Sequence, residues 1–370
     1  MPIRPNAGCV VLLWCLLLAG LTAFADDGPA VRPTDHSQLL WYTAADGFQR
    51  PVRTPADWAV RRRQTLQAVQ AVMGELPDRS NLPPLDVKIG AATEGDGYVR
   101  LAVSYASGDG DRVPAYLLLP KHRPAGERLP AMLALHQTTP LGKKEVAGEG
   151  GSANLAYAKE LAQRGYVVLA PDYPSFGDYP YDFRQSKYAS GSIKGIWNHL
   201  RGVDLLQARP EVDPERIGVI GHSLGGHNAM FLGVFDPRVK VIVASCGWTP
   251  FHDYYGGKLA GWTSDRYMPR IRDVYGLDPD RLPFDFYEVA AALAPRAFFS
   301  NSPVGDHNFD VRGVKKAEPK IREVYALLGA ADRFQVRYSS GSHDFSPAAR
   351  RAAYAFIDRI FQHTPLRNTP

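Results

Sequence analysis

Short apolar runs alternate with amphipathic segments from about residue 130 onward, and this alternation constrains the fold more than any other feature of the sequence. A strand that is apolar on both faces must be covered on both, as in a parallel sheet between two layers of helices. The sequence therefore predicts an α/β fold with a mostly parallel, doubly wound sheet. Its strands are expected at 131–135, 166–170, 217–220, 239–244, 297–300 and 334–338, and its helices at 154–164, 193–208, 224–235, 286–293, 314–328 and 347–361.

Residues 26–111 come before this pattern and are predicted to form a helical and β-hairpin extension packed on the core, which itself spans 112–365. The sequence Thr-Pro-Ala-Asp at 54–57 supplies a hydroxyl N-cap, a proline in the first turn and an acidic group, which together favour the start of a helix. Gly74 is expected to end that helix. Strand-like runs follow at 85–89, 98–105 and 113–119, and a turn at 107–111 joins the last two.

The first 25 residues are predicted to be a cleavable signal peptide. Arg4 supplies a positive charge, residues 10–18 are apolar, and the sequence Ala-Phe-Ala at 23–25 fits the rule for cleavage after Ala25. We therefore expect a secreted or periplasmic protein with no stable membrane insertion after cleavage; a retained anchor is the alternative. Two of the three cysteines lie in this leader, so Cys246 is expected to have no disulfide partner in the mature chain.

Composition and charge exclude several classes of protein. With 45% hydrophobic residues, the chain can bury an ordinary core and is not expected to be disordered. The net charge is only +5 and the basic residues form no stripe, so no nucleic-acid partner is expected. No cysteine pair or His-Glu-x-x-His sequence indicates a metal site, and no cofactor is required. The oligomeric state is left open.

The sequence Gly-His-Ser-Leu-Gly at 221–225 lies between a predicted strand and a predicted helix, and this context gives Ser223 the features of a nucleophile. A serine on so sharp a turn projects its hydroxyl away from the sheet. The backbone closes because Gly221 and Gly225, two residues before and after it, carry no bulk. The N-terminus of the following helix also favours negative charge that develops nearby.

A serine hydroxyl needs a base, and His343 is favoured because it follows the last predicted strand. His307 is the alternative, whereas His222 and His227 flank the serine and are expected to point elsewhere.

The base in turn needs an acid that orients the imidazole. Asp306 is favoured because it lies in a short loop after the strand at 297–300; Asp310 is the second candidate. Asp344 adjoins His343 too closely in sequence to bond its ring easily. Two backbone donors are also expected for an oxyanion: the N–H of Leu224, and one from Gln137 or Thr138 in the loop after 131–135.

An insert at 246–285 differs from its surroundings because it is rich in aromatic residues, glycine and proline, and has no clean period. One interpretation is a cap over a site, in which Trp248 and Trp262 could stack on sugar rings. The alternative is an irregular subdomain with a small core of its own.

The stretch from about 112 to 361 resembles the α/β-hydrolase fold, and within it the exported dienelactone-hydrolase-like and acetyl-xylan-esterase-like proteins, with prolyl-oligopeptidase-like relatives. The resemblance is carried by the sequences Leu-His-Gln-Thr-Thr at 135–139, Ala-Pro-Asp-Tyr at 170–173, Gly-His-Ser-Leu-Gly-Gly at 221–226 and Ala-Pro-Arg at 294–296, together with Asp306 and His343. It implies Ser223 as nucleophile, Asp306 as acid and His343 as base. Gln137 replaces the glycine common in the family, and a serine replaces the cysteine nucleophile of dienelactone hydrolase proper.

These observations predict an exported serine hydrolase that cleaves carboxylic esters through an acyl-enzyme. The resemblance favours carbohydrate esters such as acetylated xylan as substrates. A serine peptidase on the same fold is one alternative, and a hydrolase-like binding protein without catalytic activity is another.

Overall fold

The computed structural model describes residues 35–108, 110–122 and 126–367. The predicted signal peptide and its cleavage site lie outside these residues. No helix in the described ranges combines the length and the apolar character needed to cross a membrane.

The described residues contain eleven strands, of which the first two form a small ladder of their own. The strands are β1 (Trp41–Thr43), β2 (Gln49–Pro51), β3 (Lys88–Glu94), β4 (Tyr98–Gly108), β5 (Asp111–Pro120), β6 (Leu129–Leu135), β7 (Val167–Pro171), β8 (Val212–His222), β9 (Val239–Ser245), β10 (Ala297–Asn301) and β11 (Phe334–Arg337). The other nine form one sheet in the order β11-β10-β9-β8-β6-β7-β5-β4-β3. Strands β6 to β11 run parallel to their neighbours among themselves, whereas β3, β4 and β5 are antiparallel. The predicted mostly parallel sheet is confirmed.

Helices pack on both sides of this sheet. They are α1 (Pro55–Met73), α2 (Lys143–Val146), α3 (Tyr157–Gln163), α4 (Gly191–Gln207), α5 (Leu224–Phe235), α6 (Arg270–Asp273), α7 (Phe286–Ala291), α8 (Val311–Leu327) and α9 (Pro347–Phe361). Every residue of β6 is buried, and its side chains divide between two apolar clusters. Leu133 belongs to the cluster that includes α4 and α5, and Met132 to the cluster that includes α3 and α9. This double cover explains why the central strands are apolar throughout.

The predicted start of the first helix is present in full. The Thr54 hydroxyl accepts from the N–H of Asp57, whose carboxylate accepts from the N–H of Thr54, so the two form a capping box. Gly74 ends the helix with φ 101°, where a Cβ would lie 2.5 Å from the Cβ of Ala189. A residue without a side chain is therefore required there.

The predicted N-terminal extension contributes directly to the sheet. Its hairpin strands β4 and β5 are hydrogen-bonded to each other, and β5 pairs with β7. The expected boundary at 111–112 therefore falls inside a strand of the main sheet. The strand expected at 85–89 lies instead at Lys88–Glu94, where every residue is exposed. An exposed edge strand has no buried face to give it an apolar pattern, which explains the shift.

The insert at 246–285, here called the cap, consists of short helical turns. Besides α6 it contains 3₁₀-helices at Phe251–Gly256, Leu259–Trp262 and Pro279–Arg281. The ring of Phe251 packs against those of Trp262, Phe284 and Phe286 at centroid distances of 6.0, 5.5 and 5.4 Å. These rings belong to the same buried cluster as α4 and α5, so the aromatic residues of the cap extend the core of the main fold.

Candidate active site

Ser223 lies at the sharp turn between β8 and α5, with φ 54° and ψ −117°. Such a conformation is costly for a residue with a side chain and persists only where the surroundings impose it. A Cβ at Gly225 would lie 1.9 Å from the carbonyl oxygen of Leu135, and one at Gly221 would lie 2.2 Å from the backbone of Gly225. The turn therefore closes directly onto the end of β6, and both glycines are required for that approach.

His343 and Asp306 come together beside this turn, each in a loop that follows a strand of the parallel half. Nδ1 of His343 lies 2.9 Å from Oδ2 and 3.1 Å from Oδ1 of Asp306. Burial opposes ionisation of Asp306, but the bond to His343 and the N–H groups of Asn308 and Phe309 outweigh it, so the pKa of this carboxyl lies below its usual value. The carboxylate therefore stays charged and holds Nδ1–H, which leaves Nε2 available for another proton.

The loop after β6, residues 136–139, is here called the oxyanion loop. His136 is buried at its start, and its Nε2 accepts from the N–H of Tyr173 at 2.9 Å. The proton of the ring must then lie on Nδ1, which donates to the carbonyl of Gln137 at 2.6 Å. Burial lowers the pKa of His136 and keeps the ring neutral. His136 thus bonds its own loop, as expected for a histidine at the end of a strand.

The side chains of Gln137 and Thr138 are both hydrogen-bonded to other side chains. The amide of Gln137 donates to Oε1 of Glu145 at 3.1 Å, and the hydroxyl of Thr138 lies 2.6 Å from that of Tyr267. The possible donors to an oxyanion from this loop are therefore backbone N–H groups. Leu224 is the first residue of α5, so its N–H has no partner within the helix.

A fully buried carboxylate, Asp172, joins the segment that follows the oxyanion loop to the end of β7. It accepts from the backbone N–H of Lys143 at 2.7 Å, from the Lys143 ammonium at 2.6 Å and from the N–H of Asp178 at 2.9 Å. Asp172 belongs to the Ala-Pro-Asp-Tyr sequence that carries the resemblance, but its partner Lys143 was not expected. The ion pair links α2 to the end of β7.

Ser223 and His343 open into one cavity of about 250 Å³. It is lined by Gln137, Thr138, Ser223, Leu224, His227, Tyr254, Gly261, Trp262, Tyr267, Asn308, Phe309 and His343. No lining residue is lysine, arginine, aspartate or glutamate, so the cavity combines aromatic rings with uncharged polar groups. A larger groove of about 700 Å³ lies beside α1, but neither Ser223 nor His343 lines it.

The sequence matches a family profile over residues 146–363, and that profile is described as the alpha/beta hydrolase family. The chain belongs to this family. The predicted resemblance is thus confirmed at the level of family and fold, and the match covers the turn at Ser223 as well as Asp306 and His343. Leu135 and the oxyanion loop lie before the matched residues.

Individual relatives of this hydrolase are more distant. YtaP of Bacillus subtilis, named as a hydrolase, is 28% identical over 310 residues, which are 81% of this chain and 99% of that protein. A 4-O-methyl-glucuronoyl methylesterase of Podospora anserina is 23% identical over 345 residues, which are 84% of this chain and 65% of that protein.

Solved structures show the same fold. A glucuronoyl esterase from Solibacter usitatus superposes with a TM-score of 0.70 at 18% identity, covering 88% of this chain and 97% of its own. A Bacteroides fragilis protein described as an acetyl xylan esterase gives a TM-score of 0.58 at 19% identity, covering 77% and 76%.

The other candidate acids of this hydrolase point away from His343. Both carboxylate oxygens of Asp310 are bonded to Arg312, next to it in the first turn of α8. The carboxylate of Asp344 accepts from the amide of Asn154 at 2.7 Å. His307, the alternative base, is exposed.

The expectation that His222 and His227 point elsewhere is wrong. The ring of His222 lies 4.8 Å from that of His343, and His227 lines the cavity against Trp262 at a centroid distance of 4.8 Å. Burial lowers the pKa of each flanking histidine to about 3, so both rings are neutral at physiological pH. His222 therefore packs on His343 without adding a positive charge.

The structure separates the two tryptophans that were expected to bind sugars. Trp262 lines the cavity, whereas Trp248 is 1% exposed and does not line it. The Nε1–H of Trp248 donates to the hydroxyl of Ser300 at 3.0 Å, and its ring packs near Phe298. Trp248 is therefore a core residue. It lies directly after β9, where its ring packs on the main fold.

Phe309 and Asn308 contribute to the cavity, although the sequence analysis did not single them out. The ring of Phe309 stacks on that of His343 at 5.9 Å, with an angle of 24° between the planes. The only sequence signal for these two residues is their position, two and three residues after Asp306.

One potential set of metal ligands, His222, Cys246 and His343, has its donor atoms within 4.8 Å of one another in the described residues. Nδ1 of His343 is already bonded to Asp306, so only its Nε2 is available to such a set.

Proposed function

We propose that this hydrolase cleaves carboxylic esters, with Ser223 as nucleophile, His343 as general base and acid, and Asp306 as the group that orients His343. The observation that carries the proposal is the pairing of Nδ1 of His343 with Asp306 beside a strained serine that opens into the same cavity. A structural serine would not require so costly a backbone conformation.

In the acylation step, Nε2 of His343 takes the proton of the Ser223 hydroxyl as the oxygen attacks the ester carbonyl. The resulting oxyanion is stabilised by the N–H of Leu224 and by a backbone N–H of Gln137 or Thr138. The ionised Asp306 stabilises the imidazolium, which then protonates the leaving alcohol. Water activated by His343 releases the acid from Ser223 and restores the free enzyme.

The proposed substrates are carbohydrate esters of the acetyl-xylan type. The ring of Trp262 and the tyrosines Tyr254 and Tyr267 provide flat contact area in the cavity, and Asn308 provides hydrogen-bonding capacity. Relatives named as glucuronoyl methylesterases and a neighbour described as an acetyl xylan esterase support the same class. The predicted signal peptide, with cleavage after Ala25, accords with an enzyme secreted or periplasmic, where such polymers are met.

The test compares wild type with Ser223→Ala on acetyl, feruloyl and glucuronoyl esters. We expect kcat to fall by about 10³-fold or more in the variant, because the attacking oxygen is lost. A fluorophosphonate probe should label the wild type on the peptide that carries Ser223 and leave the variant unlabelled. Circular dichroism and the melting temperature check that the variant is folded.

An amide with the same acyl group separates an esterase from a serine peptidase. We expect the ester to react faster by orders of magnitude; preferential cleavage of the amide would favour the peptidase. Wild-type protein that neither labels nor turns over any ester would instead indicate a binding protein without activity.

A further inference from the structure

A hydrogen bond between two hydroxyl groups joins the cap to the oxyanion loop. Oγ1 of Thr138 lies 2.6 Å from Oη of Tyr267, and both residues line the cavity beside Ser223. Thr138 is exposed, so water could satisfy its hydroxyl if this bond were absent. The bond therefore contributes little to the free energy of folding. Its main effect is on the position of the oxyanion loop.

Tyr267 is itself anchored to the main fold. Its N–H donates to the carbonyl of Ser264 at 2.8 Å, and its carbonyl accepts from the N–H of Ser192, in the first turn of α4, at 3.1 Å. Its ring packs near those of His227 and Trp262, at centroid distances of 6.1 and 6.4 Å. Because α4 is a long buried helix, the backbone of Tyr267 is held by the main fold as well as by the cap.

The other hydrogen bonds of the loop involve residues on either side of Thr138: Thr139 accepts from the N–H groups of Leu141 and Gly142 at 3.3 and 3.2 Å. His136 is tied to Tyr173, and the side chain of Gln137 is tied to Glu145. These bonds fix where the loop leaves β6, whereas the contact with Tyr267 determines where its exposed centre lies.

We propose that Tyr267 is a positioning residue: through Thr138 it sets the backbone N–H groups of the oxyanion loop at the distance and angle that the oxyanion requires. Burial raises the pKa of Tyr267, which keeps its hydroxyl protonated and able to bond. The proposal rests on the ester hydrolysis proposed above. It predicts that the bond matters in the transition state and hardly at all for the bound substrate, because the substrate carbonyl carries less charge than the oxyanion.

The test measures kcat and KM of Tyr267→Phe, Thr138→Val and the double variant on one ester. We expect each single change to lower kcat by roughly tenfold with KM within about twofold, since a displaced donor loses part of its effect. The double variant should be no worse than either single one, because both remove the same bond. Thr138→Ser keeps the hydroxyl and should recover most of the kcat that Thr138→Val loses.

A second readout is inhibition by phenylboronic acid, which forms a tetrahedral adduct with an active serine. Its inhibition constant should rise by about the same factor as kcat falls in Tyr267→Phe. An unchanged kcat, a loss confined to KM, or fully additive losses would each overturn the proposal. If Tyr267→Phe lowers the melting temperature, the kinetics of Thr138→Val decide the test, because Thr138 is exposed and its substitution should not destabilise the fold. Failure of the proposed function is distinguishable, since the wild type would then lack esterase activity altogether.

Discussion

The two sides of the cavity are built in different ways. On one side, Ser223, Asp306 and His343 follow strands in the parallel part of one sheet, and the topology brings their loops to one edge. On the other side, Tyr254, Trp262 and Tyr267 come from short turns of the cap, where position depends on packing among aromatic rings. The comparison teaches that the proposed catalytic residues are placed by the order of strands, whereas the aromatic residues that face them are placed by the packing of an irregular segment on its surroundings.

The largest expected effect tests the strand side. Asp306→Asn should lower kcat by about 10²- to 10⁴-fold, because an amide at this position no longer holds Nδ1–H and Nε2 in the required tautomer. The matched control is Asp310→Asn, which keeps a side-chain acceptor at the start of α8 and should stay within about twofold of wild type. Steady-state kinetics on one ester measures both. Equal losses in the two variants would contradict the assignment of the acid.

An effect of intermediate size separates the two tryptophans of the cap. Trp262→Phe should raise KM by roughly threefold or more, because the shorter ring leaves space in the cavity. Trp248→Phe should leave KM and kcat within about twofold and instead lower the melting temperature, since the hydroxyl of Ser300 loses its buried donor. If Trp248→Phe changed KM and left the melting temperature alone, the division between core and cavity residues would be wrong.

The smallest expected effect concerns the buried carboxyl of Asp285, which bonds the cap to the start of α7. Oδ1 of Asp285 accepts from the N–H groups of Phe251 and Phe286 at 2.9 and 2.5 Å, and burial raises the pKa of this carboxyl to about 7 despite these bonds. In the unfolded chain its pKa returns to 3.8, so the contribution of protonated Asp285 to stability is complete below pH 3.8 and is lost as pH rises through about 7.

The measurement compares melting temperatures of wild type and Asp285→Asn from pH 5 to 8. The wild type should lose several degrees more than the variant, which cannot ionise at this position. The exposed Asp280→Asn is the control and should follow the wild type. His36 and Glu288, which are ion-paired beside this site, remain in all three proteins. Because the charge of Asp285 helps to raise the pKa of His36, the comparison of wild type with Asp285→Asn reports the coupled titration of Asp285 and His36. If the melting temperatures of wild type and Asp285→Asn changed with pH in parallel, protonation of Asp285 would not contribute to stability.

Much of the strand side could be predicted from sequence because its signals are local. The glycines around Ser223 and the apolar run before Asp306 follow from the requirements of a tight turn and a buried strand. The edge strand before His343 shows instead the alternation of apolar and polar residues that is typical of a half-buried strand. The helix at Pro347–Phe361 also has the predicted bounds, since Ser346 and Pro347 mark its start.

The contacts on the cap side could not be predicted from the sequence in the same way. Trp248 and Trp262 are chemically alike and lie in the same insert, yet one is a core residue and the other lines the cavity. The contact of His222 with His343 and the bond between Thr138 and Tyr267 join residues more than a hundred positions apart. No periodicity in the sequence encodes such pairs, so only the three-dimensional packing reveals them.

The approach of Gly225 to the carbonyl of Leu135 has a practical consequence for redesign. An added Cβ at Gly225 would lie 1.9 Å from that oxygen, so any larger residue would push Ser223 and the oxyanion loop apart. Libraries aimed at new substrates should therefore leave 221–226 and Tyr267 untouched and randomise Tyr254 and Trp262 instead, because these cap residues line the cavity without a bond to the oxyanion loop.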